Sequence, residues 1–468
     1  MTKQSHTPGA GRWTAGTLTY TSAGIGILFF WLLWGDFAWS MKDRAVTSVA
    51  TLMVKSFGVS DFMFGLLILS FPNFTNAVLG PLVSYFSDRH RGRFGRRIPF
   101  LAFTVPFIVT GMLGLAFTPL LGEMLHNAAG ADTLSRHTAS LIVFGVFWIM
   151  FDFGNTLASS IFTALVNDVV PTSLLGRFFG LFRGISLAAG VIFNYFLLGR
   201  AESHSMWIFL GLALLYAFGF TLLLFKVKEG EYPPAERALP CTPRNILFIF
   251  RDYFRECFAL PYYRWVLFAI PVAGLANIPF NAYSIFHAKS LHVSMDSLGK
   301  YFAYTYIISF VLSYFLGVLA DRFHPIRMGI LSTALYGVVA FTGCFFITDQ
   351  LSFAIVFILH GVLAGCFGTL TASFGPRLFP RMLFAQFNSA MWILQSFTWM
   401  ILTPVTGRIL DLIGHRYNYT LFIGGICSIF GVAILCVVYR GFLKLGGDRN
   451  YQAPDIETLH GQDGSPRP

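Results

Sequence analysis

"YFSDRHRGRFGRR", residues 85–97, and "VLADRFHPIRMG", residues 318–329, are short basic loops about half of the 468-residue chain apart. Each sets an Asp-Arg pair at the end of a long apolar run, Asp88-Arg89 in the first and Asp321-Arg322 in the second. A second pair of landmarks follows the same plan. Pro171 and Phe178 flank one later loop, and Pro380 and Phe387 flank another with the same spacing. One such match is easily chance between basic loops. Two in the same order read as a duplicated design.

Composition says what solvent that design lives in. The chain is 55% hydrophobic and 12% charged, and it holds 53 phenylalanines. Its mean hydropathy is +0.64. A soluble domain carries about a quarter charged residues, so much of this surface is meant for lipid. About twelve apolar runs are each near the ~20 residues that a bilayer-spanning helix needs. They lie near 20–41, 61–86, 98–121, 138–166, 176–198, 204–225, 264–287, 298–319, 328–348, 352–375, 386–413 and 418–440.

The net charge of +11 does not ask for nucleic acid. With the N-terminus cytoplasmic, about 23 of the 33 Lys and Arg fall on that side and about 9 on the other, as the positive-inside rule expects. Both termini are then cytoplasmic. The opening "MTKQSHTPGAGRW" has no apolar core of a signal peptide. The six cysteines are scattered and read as small buried hydrophobes, with no metal or cofactor expected.

The expected fold is an all-α membrane protein, with twelve transmembrane helices in two pseudo-symmetric six-helix bundles. The expected divisions are a cytoplasmic tail over 1–19, a first bundle over 20–225, a cytoplasmic linker over 226–263, a second bundle over 264–440 and a disordered tail over 441–468. Within the linker, "ILFIFRDYFRECF" alternates aromatics with charges and suits a helix lying on the membrane surface.

The loop after span two makes a resemblance nameable. Asp-Arg followed shortly by Gly-Arg-Arg resembles the signature of the major facilitator superfamily. The longer "SDRHRGRFGRRIPFL" is similar to two sugar-transporting branches, the sucrose transporters and the glycoside–pentoside–hexuronide cation symporters that include melibiose permease. The resemblance implies gating roles for Asp88, Arg89, Gly95 and Arg96, and the repeat extends them to Asp321 and Arg322. Physically, an aspartate at a helix end beside arginines can latch helices together by charge-assisted hydrogen bonds.

Polar groups inside the membrane need a reason. Span two carries Asn73, Asn76, Gly80 and Ser84 on one helical face, span four Asp152, Asn155 and Ser159, and span five Arg183, Gly190 and Asn194. Span seven offers Asn277, Asn281 and Ser284, and span eleven Asn388, Trp392, Gln395 and Trp399. Amides mixed with tryptophan suit a sugar, whose hydroxyls take hydrogen bonds while its C–H face stacks. Such stripes can also glue helices together without any ligand. An isolated carboxylate in lipid stays ionised only beside a cation, and Arg183 is the expected partner of Asp152.

Span four, "FWIMFDFGNTLASSIFTALVNDV", resembles the sucrose-transporter fourth helix at Asp152, Asn155 and Asp168, although Thr163 replaces the arginine of that family. "GDFAWSMKDR", residues 35–44, resembles the first helix of the glycoside–pentoside–hexuronide branch, where an aspartate holds sugar hydroxyls, here Asp36. By that resemblance span one runs on to Phe57. The alternative is a helix ending at Met41, with Lys42-Asp43-Arg44 as an exposed loop. The branch's sodium-binding aspartates are replaced by Asn76 and Gly80, and its eleventh-helix lysine by Gln395. A proton is therefore expected as coupling ion rather than sodium. Asp152, Asp36 and His360 are the proton-coupling candidates, with hydrogen-bonded packing as the plainer role for His360.

The chain has no HExxH, GxSxG, CxxC or phosphate-loop motif, so an enzyme is not expected. The expectation is a monomeric secondary transporter in a bacterial-type plasma membrane, moving a sugar or glycoside by alternating access together with a proton. Its substrate-binding residues would be Asp36, Asn73, Asn76, Asp152, Asn155, Arg183, Asn281, Trp392 and Gln395. An uncoupled facilitator, a transporter of a non-sugar solute and a transport-inactive sensor are the alternatives.

Overall fold

A computed structural model describes residues 12–130, 132–232, 255, 257–380 and 384–454, apart from the side chains of Pro81, Ser84, Tyr85, Asp88, Tyr314, Asp321, Ala385 and Arg449. Twelve spans are formed where hydropathy expects them. In the first half they are Ser22–Ser56, Asp61 to Arg89, Ile98–Ala116, Arg136–Val169, Leu175 to Arg200 and Ser205–Lys226. In the second they are Pro261 to Ser290, Met295–Phe323, Pro325–Phe346, Gln350–Thr371, Phe384–Leu412 and Tyr419–Lys444. Ten of these are long and apolar enough to cross a membrane by length and composition, and the eighth and eleventh are helices of 29 residues each.

Local chemistry sets the helix ends. The Thr21 hydroxyl accepts the Gly24 N–H at the start of span one, Ser135 caps span four, and Asp349 forms a reciprocal capping box with Ser352 at span ten. Prolines open spans seven and nine, where the missing N–H costs nothing.

Two units result: Met1–Val59 with Thr75–Ala238, and Ser60–Phe74 with Leu239–Pro468. In the first unit span three packs on spans four and six, and span one on spans five and six. In the second, span nine packs on spans ten and twelve, and span seven on spans eleven and twelve. Adding six to each number turns the first set into the second, so the repeat seen in the loops is a repeat of packing.

Four details depart from expectation. Residues Arg12–Ala15 and Leu18–Thr21 form an antiparallel hairpin ahead of span one, so the hairpin takes the last residues assigned to the tail. The opening of span two, Ser60–Phe74, belongs to the second unit and not the first. Span three stops at Ala116, and a separate helix, Thr118–Ala129, follows. Residues 441–454 are held in place, whereas the rest of the expected tail lies outside the described residues: span twelve reaches Lys444, the Tyr451 hydroxyl donates to the Leu378 carbonyl, and Tyr263 donates to the carbonyl of Pro454. The surface helix expected over 246–258 lies largely outside the described residues.

Span one settles the "GDFAWSMKDR" question. It is one helix of 35 residues, about 50 Å long at 1.5 Å per residue, and Asp36 and Lys42 sit near its middle. Both are fully buried, Arg44 is half-buried and Asp43 is exposed. The helix does not end at Met41, and there is no loop at Lys42.

Candidate functional site

The first unit buries a small polar cluster between spans one, two and four. The Lys42 ammonium donates to Asn155 Oδ1 and lies 3.5 Å from the centroid of the Trp39 ring, with the Phe151 and Tyr216 rings at 5.5 and 5.3 Å. This aromatic box replaces part of the hydration a buried ammonium loses. Asp152 lies close enough to Lys42 to interact electrostatically, and accepts the Thr75 hydroxyl at 2.5 Å. Thr156 lies 3.5 Å beyond Thr75. Six residues back from Lys42 along span one, Asp36 Oδ1 accepts the Ser40 hydroxyl at 3.2 Å, while Oδ2 is buried without a hydrogen-bond partner. Gly35 packs beside it against the Leu223 side chain of span six, whose end would have to shift to admit a Cβ there.

Arg183 is not the partner of Asp152. It is exposed on span five, and Lys42 supplies the nearby cation instead. The pattern hid this because Lys42 reads equally well as loop charge. Asn76 is exposed in the first unit, and Asn73 lies in the second, donating to its own helix at Leu69 O. Asn194 likewise donates to Gly190 O. These last two amides are satisfied by backbone, as the helix-glue reading allows.

The second unit carries a buried relay. The Tyr336 hydroxyl lies 2.9 Å from His360 Nδ1, and His360 Nε2 lies 2.9 Å from Asn281 Oδ1. An amide oxygen only accepts, so this arrangement puts the proton on Nε2 and makes Nδ1 the acceptor from Tyr336. Both ring nitrogens are therefore paired with side chains of the second unit. Asn281 is exposed at the end of this relay, its amide nitrogen left facing away from the histidine. Gln395 is half-buried against Gly274, and Trp392 is 60% exposed.

At the end of the first unit that carries the hairpin, the signature loop makes a clamp. Arg96 grips Asp168 of span four through two parallel bonds, Nε to Oδ2 at 3.0 Å and Nη2 to Oδ1 at 2.6 Å, and Arg97 adds a third at 3.1 Å. Glu229, after span six, accepts the backbone N–H groups of Arg96, Arg97 and Ile98 at 3.0, 2.7 and 2.7 Å. It thereby caps span three with a negative charge on its positive end. Tyr232 donates to Glu229 and stacks under Arg96, 4.1 Å from the guanidinium to the ring. Burial and the nearby Asp168 and Glu229 carboxylates hold its phenol above the ordinary range, which keeps it a donor. Gly95 adopts φ +100°, and a Cβ there would meet Glu229 at 2.6 Å, so only glycine serves.

Sequence reasoning found Gly95 and Arg96 but missed Glu229 and Tyr232, which it gave to the linker. Their signal was the acid-aromatic run "EGEY" directly after an apolar span. Arg89 is half-buried and Arg322 exposed, whereas the side chains of Asp88 and Asp321 lie outside the described residues.

Among the described residues, Asp61, Asp411 and His415 bring ligand-type atoms within 4.8 Å of one another. The protein's own donors already occupy every carboxylate oxygen of this group, so it is not assigned as a metal site.

A family model places the chain. The Major Facilitator Superfamily model matches residues 32–401. Among solved structures, a D-xylose-proton symporter superposes with TM-score 0.63 at 16% identity, covering 88% of this chain and 97% of its own. A bacterial homolog of the human lysosomal transporter Spinster, inward-facing and occupied, gives 0.65 at 14%, covering 93% and 100%. A POT family transporter in complex with a thioalcohol-conjugated peptide gives 0.64 at 13%, covering 91% and 97%. At these identities the likeness is one of fold. The chain belongs to the Major Facilitator Superfamily and is a multi-pass membrane transporter of that fold.

Proposed function

We propose that this transporter moves a sugar or glycoside by alternating access, coupled to protons rather than sodium. It would act as a monomer in a bacterial-type plasma membrane with both termini cytoplasmic. The observation that carries the reading is the buried Asp36–Lys42–Asp152–Asn155 set. Two carboxylates and one ammonium enclosed by protein are costly unless they have work to do.

In this reading Asp36 offers its uncommitted oxygen to a sugar hydroxyl, and Asn155 and Asn76 add amide contacts. Asp152 exchanges a proton as its contacts with Lys42 and Thr75 change. Asn73, Asn281, Trp392 and Gln395 supply further donors and a stacking face, and Asn281 is aimed by His360. Arg183 is retained only as an exposed cation that a solute could reach. Gly95 and Arg96 gate the first unit through the Asp168–Glu229 clamp, Asp88 and Arg89 of the same loop share the gating role by resemblance, and Asp321 and Arg322 are the repeat counterparts.

The experiment is uptake of labelled sucrose, maltose, melibiose, free hexoses and xylosides into liposomes holding the purified protein. Uptake of at least one sugar, reduced at least tenfold by Asp36→Asn, is the expected result, tenfold being about one charge-assisted hydrogen bond. Uptake of none removes sugar as the cargo.

A further inference from the structure

The start of span two and the end of span eleven form a seam inside the second unit. Ser70 donates to Met400 O at 2.7 Å and lies 3.0 Å from Thr403 Oγ1. Tyr283 of span seven donates to Asp61 O and Thr403 O, bridging the two helices. Gly65 and Gly407 make the approach possible. A Cβ on Gly65 would lie 3.0 Å from the Pro404 Cα, and one on Gly407 would collide with the Asp61 carbonyl oxygen. Span two is irregular along this seam, where residues Gly65–Ser70 form a wide π-type turn, and span eleven carries Pro404 inside a continuous helix, where it has no N–H to donate. Such irregularities mark places where helices bend.

The seam closes at one end on four side chains. Asp411 accepts the backbone N–H groups of Asp61 and Phe62 at 2.8 and 3.0 Å. Asp61, fully buried, accepts His415 Nδ1 on one oxygen at 2.7 Å and the Tyr417 hydroxyl on the other at 3.3 Å. His415 Nδ1 also lies 3.8 Å from Asp411. Burial and the Asp61 charge raise the Tyr417 phenol above its ordinary range, so it stays protonated. The groups facing the imidazole are therefore Asp61 of span two, Asp411 of span eleven and the neutral Tyr417, with Tyr283 neutral on the Asp61 carbonyl.

The histidine is also held against a backbone preference. His415 follows Gly414 at φ +72° and itself adopts φ +58°. Its N–H closes on Leu410 O, ending span eleven. A left-handed histidine is tolerated but costs free energy, and the bond to Asp61 offsets that cost. His415 is half-exposed, so protons reach it from outside the protein.

We propose that His415 is a proton-operated latch for this seam. Protonation places a cation against two carboxylates and tightens the hold of span eleven on the start of span two. Deprotonation reduces the histidine's own contact to one neutral hydrogen bond, so the seam is held by the remaining bonds of Asp411, Tyr417, Ser70 and Tyr283 and opens more readily. By the count of spans this end of the protein is opposite the termini, the outer face under the positive-inside reading. Acid outside then holds the seam shut, and its loss releases it.

The test uses the full chain in liposomes with Ser70→Cys as reporter. Labelling of that thiol by a maleimide is followed by peptide mass spectrometry from pH 5.5 to 8. The same reporter carrying His415→Gln, measured at each pH, divides out the thiol's own titration. The labelling rate with His415 intact, divided by the rate in the His415→Gln protein, should rise about fivefold from the acid to the alkaline end, the difference between a charged and a neutral hydrogen bond. His415→Lys, charged throughout, should label slowly at both ends. A flat ratio in the first comparison, or fast labelling of the lysine variant, overturns the latch.

Discussion

A lysine with no exposed surface in the middle of a membrane helix is the residue on which the functional reading turns. Lys42 is held by Asn155 and an aromatic box, so its charge is tolerated but not required for packing. Replacing a whole buried ion pair by apolar residues is often neutral for stability, whereas removing one partner and leaving the other buried costs about 3–5 kcal/mol. Lys42→Met leaves Asp152 buried without its cation, so it should lower the thermal midpoint by several degrees and lose gradient-driven uptake, and adding Asp152→Asn should recover part of the midpoint but not the accumulation. A melting scan and an uptake assay on the same preparation check both halves. His360→Gln should leave the pH dependence of uptake unchanged, because the histidine is committed to Tyr336 and Asn281; a shifted pH profile would return it to the proton path. Asp36 was legible from its motif, and Asn155 from its spacing. The partner of Asp152 was not, because spacing along a helix says which residues share a face but not which neighbour covers it. Asp36 and Asp43 are seven apart on one face, yet one is buried and the other exposed.

Helix ends carry the next set of consequences. Glu229 caps span three from a segment that is far away in sequence, and Glu229→Gln keeps the shape while removing the charge. Loss of that charge at a helix N-terminus should cost about 1–2 kcal/mol, read as a fall in thermal midpoint that Gly95→Ala would deepen. His324, between spans eight and nine, supplies a pH dependence of stability. Its Nδ1 accepts the Ile326 N–H, and burial pushes its pKa down to about 4 from 6.5. The unfolded chain takes up that proton first, so stability contributed by His324 is present above about pH 6.5 and falls as pH drops toward 4. His324→Asn, which can cap and tolerates the left-handed backbone, should flatten the midpoint-against-pH curve over that interval. Spans were legible because about twenty apolar residues leave no other choice in lipid. The hairpin before span one and the placement of residues 441–454 were not, since both are polar stretches that hold their place through single contacts such as Thr17 to Glu231 and Tyr451 to Leu378.

At the scale of the molecule, duplication is the organising fact, and the paired Asp-Arg loops announced it. The packing order of the two units repeats, as does the full burial of Phe178 and Phe387. What the loops could not announce is where the halves part company. Span two begins in the second unit and ends in the first, because Gly65 and Gly407 allow its opening turns to lie against span eleven. The central claim is that the buried acid of span four couples a proton to solute movement. It is tested most directly by loading liposomes with the protein and one transported sugar, then imposing an inward proton gradient. The account predicts accumulation above equilibrium that collapses when the gradient is discharged, and that Asp152→Asn equilibrates the sugar without accumulating it. Accumulation by Asp152→Asn equal to that of the parent would contradict it.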